Sequence, residues 1–408
     1  MNREQLERKC PPGAFFFLHV CTAWPVGVIG IALGSSLVKS GVVVHQTATI
    51  IAASTLAFTL EFAWAPIVDA SLTRQLWYVT GAASMSIALA WLILAPWNAA
   101  SVPLMTTLAF TSSSGAAIAA VAVKGIMAYD VPRARLGSAS GFYAAGGTFA
   151  KAAAGAGTLL LLTHWSSRVP AASVSPAIAA LAGAAILLAA PGRAPSLRKL
   201  PARVGSALKD LWALLCTREG VMIAVLCVIP FGSGTEAGLI GAIAHEWAVS
   251  PDQLASFSAL GAATGIAGAV VAGWLSTRLG TWNTYVLAGW SMIAVMLVFA
   301  LAPRTAKVFL WMELIYRTLA SGGTVALFGM VMNAVGKGAA STKAAGLWSL
   351  ATFALVMPTF VEGQVHDRVG TQAMLFADAG LGAAGFCVLL VASRLLKFRS
   401  DIPAAPQI

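Results

Sequence analysis

The chain alternates between long, continuous apolar runs and brief polar interruptions, and the runs have the length of membrane crossings. A hydrocarbon core of ~30 Å needs about 20 apolar residues of helix. Runs of that kind fall at residues 14–34, 45–68, 77–95, 102–128, 138–163, 171–190, 220–245, 253–275, 283–302, 307–333, 346–362 and 372–396, which predicts twelve transmembrane helices. They lack the residue-by-residue alternation that a membrane β-strand requires. The first run, from Phe15, follows the mixed segment MNREQLERKC, is longer than a signal-peptide core and has no small-x-small cleavage site after it, so it reads as a retained span. Composition agrees with the pattern: 58% of the 408 residues are hydrophobic and only 10% charged. A soluble domain cannot hide that much apolar surface. The expected fold class is an all-α membrane protein.

Charge gives the chain an orientation. With the N-terminus placed in the cytoplasm, eighteen Lys and Arg residues fall in inner segments and five (Lys39, Arg168, Arg304, Lys307 and Arg368) in outer loops. The positive-inside rule then puts both termini in the cytoplasm. The net charge of +11 is this bias, and no nucleic-acid partner is expected from it. The longest break reads PGRAPSLRKLPARVGSALKDLWALLCTREG. Ala207, Leu208, Leu211, Trp212 and Leu215 can form one apolar face there opposite Arg203, Lys209 and Arg218, as in a basic helix lying on the inner leaflet; the alternative is an unstructured linker. The expected organisation is therefore a six-helix bundle over residues 1–190, a basic cytoplasmic linker over 191–219, and a second six-helix bundle with a short tail over 220–408.

The two halves repeat one another. Trp24-Pro25-Val26-Gly27 recurs as Ile229-Pro230-Phe231-Gly232, and Ser140-Gly141-Phe142-Tyr143 as Ala345-Gly346-Leu347-Trp348, both at a shift of 205. Parallel six-span repeats joined by a basic loop are what a transporter of two rocking lobes requires.

The loops after the second and eighth spans, APIVDASLTRQ and GWLSTRLGTW, resemble degraded copies of the GxxxDRxGRR hallmark of the major facilitator superfamily. The octet Phe62-Ala63-Trp64-Ala65-Pro66-Ile67-Val68-Asp69 is similar to the F-x-W-A-P-x-x-D signature of the branch that holds AmpG-type muropeptide permeases, acetyl-CoA transporters and small siderophore importers. That resemblance implies twelve helices in two parallel six-helix bundles, alternating access, and uptake of a small organic solute, with the compact siderophore-importer pattern ranked first. It also implies that Asp69, with Arg74 or Arg278, forms a cytoplasmic gate; the alternative is that Asp69 and Arg74 only solvate a tight turn. Relatives carry an acid in the segment aligned with residues 120–129, where this chain has Lys124, so no proton carrier is expected there.

Ionisable side chains inside spans are costly and are candidate functional residues. Lys151 stands in GGTFAKAAAGAGTLL, and its repeat counterpart is Val356. It is expected to bind an anionic substrate, with Lys124 adding to the positive potential; the alternative is permanent pairing with an acid. Glu313 and Arg317 share a helix face four residues apart and form either a closed pair or part of the coupling and substrate site. Glu236, in PFGSGTEAGL, is the candidate for proton coupling and for substrate contact, and also a candidate counter-ion of Lys151. His45, His164, His245 and His366 fall at outer ends, where a metal site or a pH sensor involving Glu362 and His366 is imaginable. Trp77, Trp97, Trp165, Trp247, Trp282 and Trp311 read as interface anchors. The five cysteines are scattered as packing residues, and no metal or cofactor is expected. A membrane-embedded transferase is the alternative to a transporter, but it calls for a catalytic cluster of His, Asp or Ser that the chain does not show, and no nucleotide-binding GxxxxGK[ST] loop occurs. The expected protein is a monomeric permease for a small, anionic solute, driven by protons.

Overall fold

The computed structural model describes residues 10–131, 133–189, 200–229, 239–335 and 340–396. Its regular elements are all helical among the described residues. The first six crossings are α1 (Ala14–Lys39), α2 (Val44–Val68), α3 (Arg74–Leu94), α4 (Val102–Asp130), α5 (Arg133–His164) and α6 (Val169–Leu188). A connecting helix, α7 (Leu200–Leu215), precedes α8 (Arg218–Val228). The last five are α9 (Pro251–Leu279), α10 (Thr281–Leu301), α11 (Ala306–Val335), α12 (Ala340–Val369) and α13 (Thr371–Leu395). Eleven helices are long and apolar enough to cross a membrane, or up to twelve if the pair Val204–Leu215 and Arg218–Val228, bent by 91°, is one span. The protein is thus an all-α integral membrane protein.

The seventh crossing, expected as one helix over 220–245, is interrupted. After α8 only short turns at Ile240–Ile243 and Ala244–Trp247 are described, and Glu236 lies outside the described residues. The break after the second span is also shorter than the apolar pattern suggested. Helix continues to Ala70 and resumes at Arg74, because the Thr73 hydroxyl accepts the Leu76 N–H at 3.2 Å and caps α3. Thr217 caps α8 in the same way, and Ser250 with Gln253 forms a reciprocal capping box at α9. At the far ends, Gly280 after α9 and Gly370 after α12 adopt φ of 85° and 94°, which lets the next helix start at once.

The same helix pairings occur twice. α2 and α3 pack on α4 and α3 on α6; α9 and α10 pack on α11 and α10 on α13. One hydrogen bond repeats with them: the Tyr78 hydroxyl donates to the Leu18 carbonyl at 3.3 Å, and the Tyr285 hydroxyl to the Leu226 carbonyl at 3.4 Å. The two halves meet along two seams, α2 against α12 and α5 against α9, and where α1 approaches the turn at Gly241. α1 carries Pro25, which cannot donate a helical hydrogen bond, and then widens to a π-helix over Val28–Leu33. A Cβ on Gly241 would stand 2.7 Å from the Ile31 carbonyl of that segment, so only glycine lets the backbones come this close.

Two expectations about single residues change. Trp247 is no interface anchor: it is 1% exposed, with its ring centroid 5.9 Å from that of Phe309. Of the five cysteines, Cys10, Cys21 and Cys227 are buried as expected, whereas Cys216 and Cys387 are exposed.

Candidate functional site

Two of the residues that the sequence marked as costly, Lys124 and Lys151, lie in the first half, among polar partners from other helices. Lys124 on α4 makes a salt bridge with Glu61 on α2, and Glu61 is 2% exposed against 20% for the lysine. Glu61 begins a new helical stretch directly after Leu60, whose φ of −80° and ψ of 5° interrupt α2. The pair is therefore seated at a bend. Beside it, the rings of His19 on α1 and Tyr143 on α5 stack 3.6 Å apart and nearly parallel, at 3°. His19 Nδ1 donates to the Tyr143 carbonyl at 2.5 Å, which fixes the ring orientation and leaves Nε2 as the second functional nitrogen. The charges of Lys124 and Lys151 both reach His19, and that of Glu61 reaches Tyr143. Four helices thus contribute two ammonium groups, a carboxylate, an imidazole and a phenol to one region.

Lys151 is exposed on α5, two turns beyond Tyr143. Its position is fixed by the backbone, since a Cβ on Gly27 of α1 would fall 2.1 Å from the Lys151 carbonyl oxygen. In the second half, Arg317 Nε donates to Glu313 Oε1 at 2.7 Å within α11, as the spacing predicted. The pair lies under Gly261 of α9, where a Cβ would come within 3.2 Å of Glu313 and 3.3 Å of Arg317. Glu313 is 1% exposed. Asp378 on α13 and Glu362 on α12 are further buried carboxylates.

The Asp69 side chain lies outside the described residues. Arg74 is half-buried in the first turn of α3, and Arg278 is exposed in the last turn of α9, its guanidinium 5.5 Å from the Trp274 ring centroid. Arg278 suits that place, because a cation complements the C-terminal end of a helix dipole. Glu61, His19 and Tyr143 are the residues of this cluster that sequence reasoning missed. The rule that flagged Lys151 applies equally to Glu61, which falls inside the second predicted span; the acid absent from α4 is supplied across the helix interface by α2. Nothing in the sequence showed that α2 and α4 bring these two residues together. Among the described residues no group of three or more His, Cys, Asp or Glu side chains is arranged to hold a metal ion.

No curated protein sequence matches the chain. Solved structures do. The nucleoside transporter NupG is 13% identical over 95% of this chain and 98% of its own, with a TM-score of 0.70. A D-xylose-proton symporter is 13% identical over 93% and 95%, with a TM-score of 0.72. A POT family transporter in complex with 5-aminolevulinic acid is 12% identical over 95% and 96%, with a TM-score of 0.73. At such identities the likeness is one of fold. The family model of the Major Facilitator Superfamily matches residues 15–355, and with the duplicated helix pairings this places the chain in that superfamily.

Proposed function

We propose that the protein is a proton-coupled secondary transporter that takes up a small anionic organic solute by alternating access, of the siderophore or muropeptide type. The observation that carries this reading is the cluster of Lys124, Lys151, Glu61, His19 and Tyr143 on four helices of the first half. An ion pair inside the bilayer is expensive and is kept where it serves a task. A carboxylate on the solute would compete with Glu61 for Lys124 while Lys151 attracts it, and a Glu61 released from its partner would take up a proton. Solute binding and protonation are then linked through one lysine. Glu313 and Arg317 supply the facing polar pair from the second half, with Glu236 as a further coupling candidate, and Asp69, Arg74 and Arg278 act at the cytoplasmic gate. The units are the bundles 1–190 and 220–408 with the linker 191–219, and the protein works as a monomer in the inner membrane with both termini inside.

The neighbours in fold fit a transporter: one is a D-xylose-proton symporter and another a nucleoside transporter. The test is uptake into proteoliposomes of carboxylate-bearing siderophores and of neutral analogues, with and without an inward proton gradient. Uptake of the anionic compounds alone, stimulated by the gradient and lost in Lys151→Met, is the expected result. Uptake of neutral solutes at the same rate would overturn the anionic reading.

A further inference from the structure

The end of the bundle opposite Ala14 carries histidines that the central cluster does not use, and they sit on acids. His45, at the start of α2, contacts the Asp367 carboxylate at the end of α12 through Nδ1, and its backbone N–H donates to the same oxygen at 3.2 Å. The other Asp367 oxygen meets His366 Nδ1 at 3.0 Å, and His366 Nε2 meets Glu246 at 2.7 Å. Arg304 donates to Glu246 at 2.7 Å, and Thr371 donates to it as well. On the other seam, His164 Nε2 at the end of α5 lies 3.3 Å from Asp252 in the first turn of α9. Each of the two seams between the halves is therefore closed at this one end by a histidine from the first half and an aspartate from the second. Both ring nitrogens of His366 face carboxylates, and only an imidazolium donates from both.

We propose that these contacts form a proton site separate from the central cluster, in which protons from the solvent at that end bind His45 and His164 and hold the two halves together there, while His366 joins Asp367 to Glu246 within the second half. Histidine is the side chain whose charge ordinarily changes between pH 5 and 8. With the histidines charged, His45 and His366 face Asp367, and His366 and Arg304 face Glu246; with them neutral, Glu246 keeps Arg304 whereas Asp367 loses both imidazolium partners. Closure gains from the protonated histidines, so acid favours it and it weakens as the pH rises. Glu246 stays anionic across that window: burial raises its pKa, but the His366 and Thr371 hydrogen bonds and the His366 and Arg304 charges outweigh this and hold it below the usual range. The other charged or titratable groups on the surrounding elements are Lys39 on α1, Glu362 and Arg368 on α12, Lys307 on α11, Arg168, which donates to the Ala95 carbonyl at 2.7 Å, and His245, whose Nδ1 bonds the Ala242 carbonyl at 3.0 Å.

The inference rests on the alternating-access reading for its consequence, a closure that follows the pH on one side of the membrane, and its test is separate. Spin labels are placed at Ser40→Cys with Lys307→Cys, and at Ser166→Cys with Lys307→Cys, in protein whose exposed Cys216 and Cys387 are replaced by Ser. Electron-electron distances are read in nanodiscs at pH 5 and pH 8, with melting temperatures to check folding. The short-distance population is expected to fall at least about twofold at pH 8, and the fall is expected to vanish in His45→Gln/His164→Gln while persisting in His245→Gln. Identical distributions at both pH values, or a pH response that survives in the double variant or vanishes in His245→Gln, would overturn the proposal. Uptake is measured in parallel: a pH-dependent closure without uptake of any anionic solute sinks the substrate reading and leaves the latch, whereas uptake with pH-independent closure sinks the latch alone.

Discussion

Glu61 and Lys124 show how a residue's neighbour decides its meaning. Alone, an ammonium in a span costs on the order of 3 kcal/mol; against Glu61 it becomes half of a buried pair. Breaking such a pair leaves an uncompensated charge and destabilises by about 3–5 kcal/mol, whereas replacing both partners with apolar groups is often neutral. Glu61→Gln and Lys124→Met are therefore each expected to lower the melting temperature, and the double variant to recover it while uptake stays lost. A double variant that transports normally would reduce the pair to a structural feature. Lys151 is exposed on α5, and its backbone is held against Gly27. Lys151→Met is expected to melt near the wild-type temperature and to bind an anionic solute at least about tenfold more weakly, a loss of roughly 1.4 kcal/mol.

Helices here are positioned by what they omit. α1 approaches α5 closely because Gly27 offers no side chain to the Lys151 carbonyl, and Gly146 offers none to that of Phe16, where a Cβ would stand 2.2 Å away. Small residues at such crossings let backbones pack where lipid gives no hydrophobic drive. Gly27→Ala should cost about 1–3 kcal/mol through overpacking and displace Lys151, whereas Gly157→Ala on the same α5, with nothing within 4 Å of its Cβ, should be silent. Equal melting temperatures for the two variants would refute the close-approach argument. The connecting helix α7 also takes a definite place: Leu211 packs on Gly346 of α12, while Trp212 is 70% exposed. That division matches the amphipathic pattern read from the sequence, with one part of the apolar face spent on the bundle.

Across the whole molecule, the repeat and the charge bias govern what can be tested. Both are properties of the chain, and thiol labelling reads the orientation they imply. Single cysteines at Ser196 and Ser341, on a background without other cysteines, should be protected from an impermeant thiol reagent in intact cells, and one at Ser167 should react. Labelling of the first two without membrane disruption would reverse the assignment. With that labelling result, the two His–Asp contacts are on the outer face, where an acid outer solution would favour closure.

The sequence by itself determined the helices, their number to within the interrupted seventh crossing, and the duplication, because a bilayer admits few solutions: each crossing must be long, apolar and internally hydrogen-bonded. It also marked Lys151, Lys124, Glu313 and Arg317, since a charge inside an apolar run is visible in one dimension, and the Glu313–Arg317 pair lay within reach because its partners are four residues apart. Only the tertiary structure decided the pairings between helices. Glu61 with Lys124, His19 with Tyr143, His45 with Asp367 and His164 with Asp252 join residues from different crossings, and the packing of α2 on α4 and α12, of α1 on α5, and of α5 on α9 is set by close contacts that leave no periodic trace in the chain.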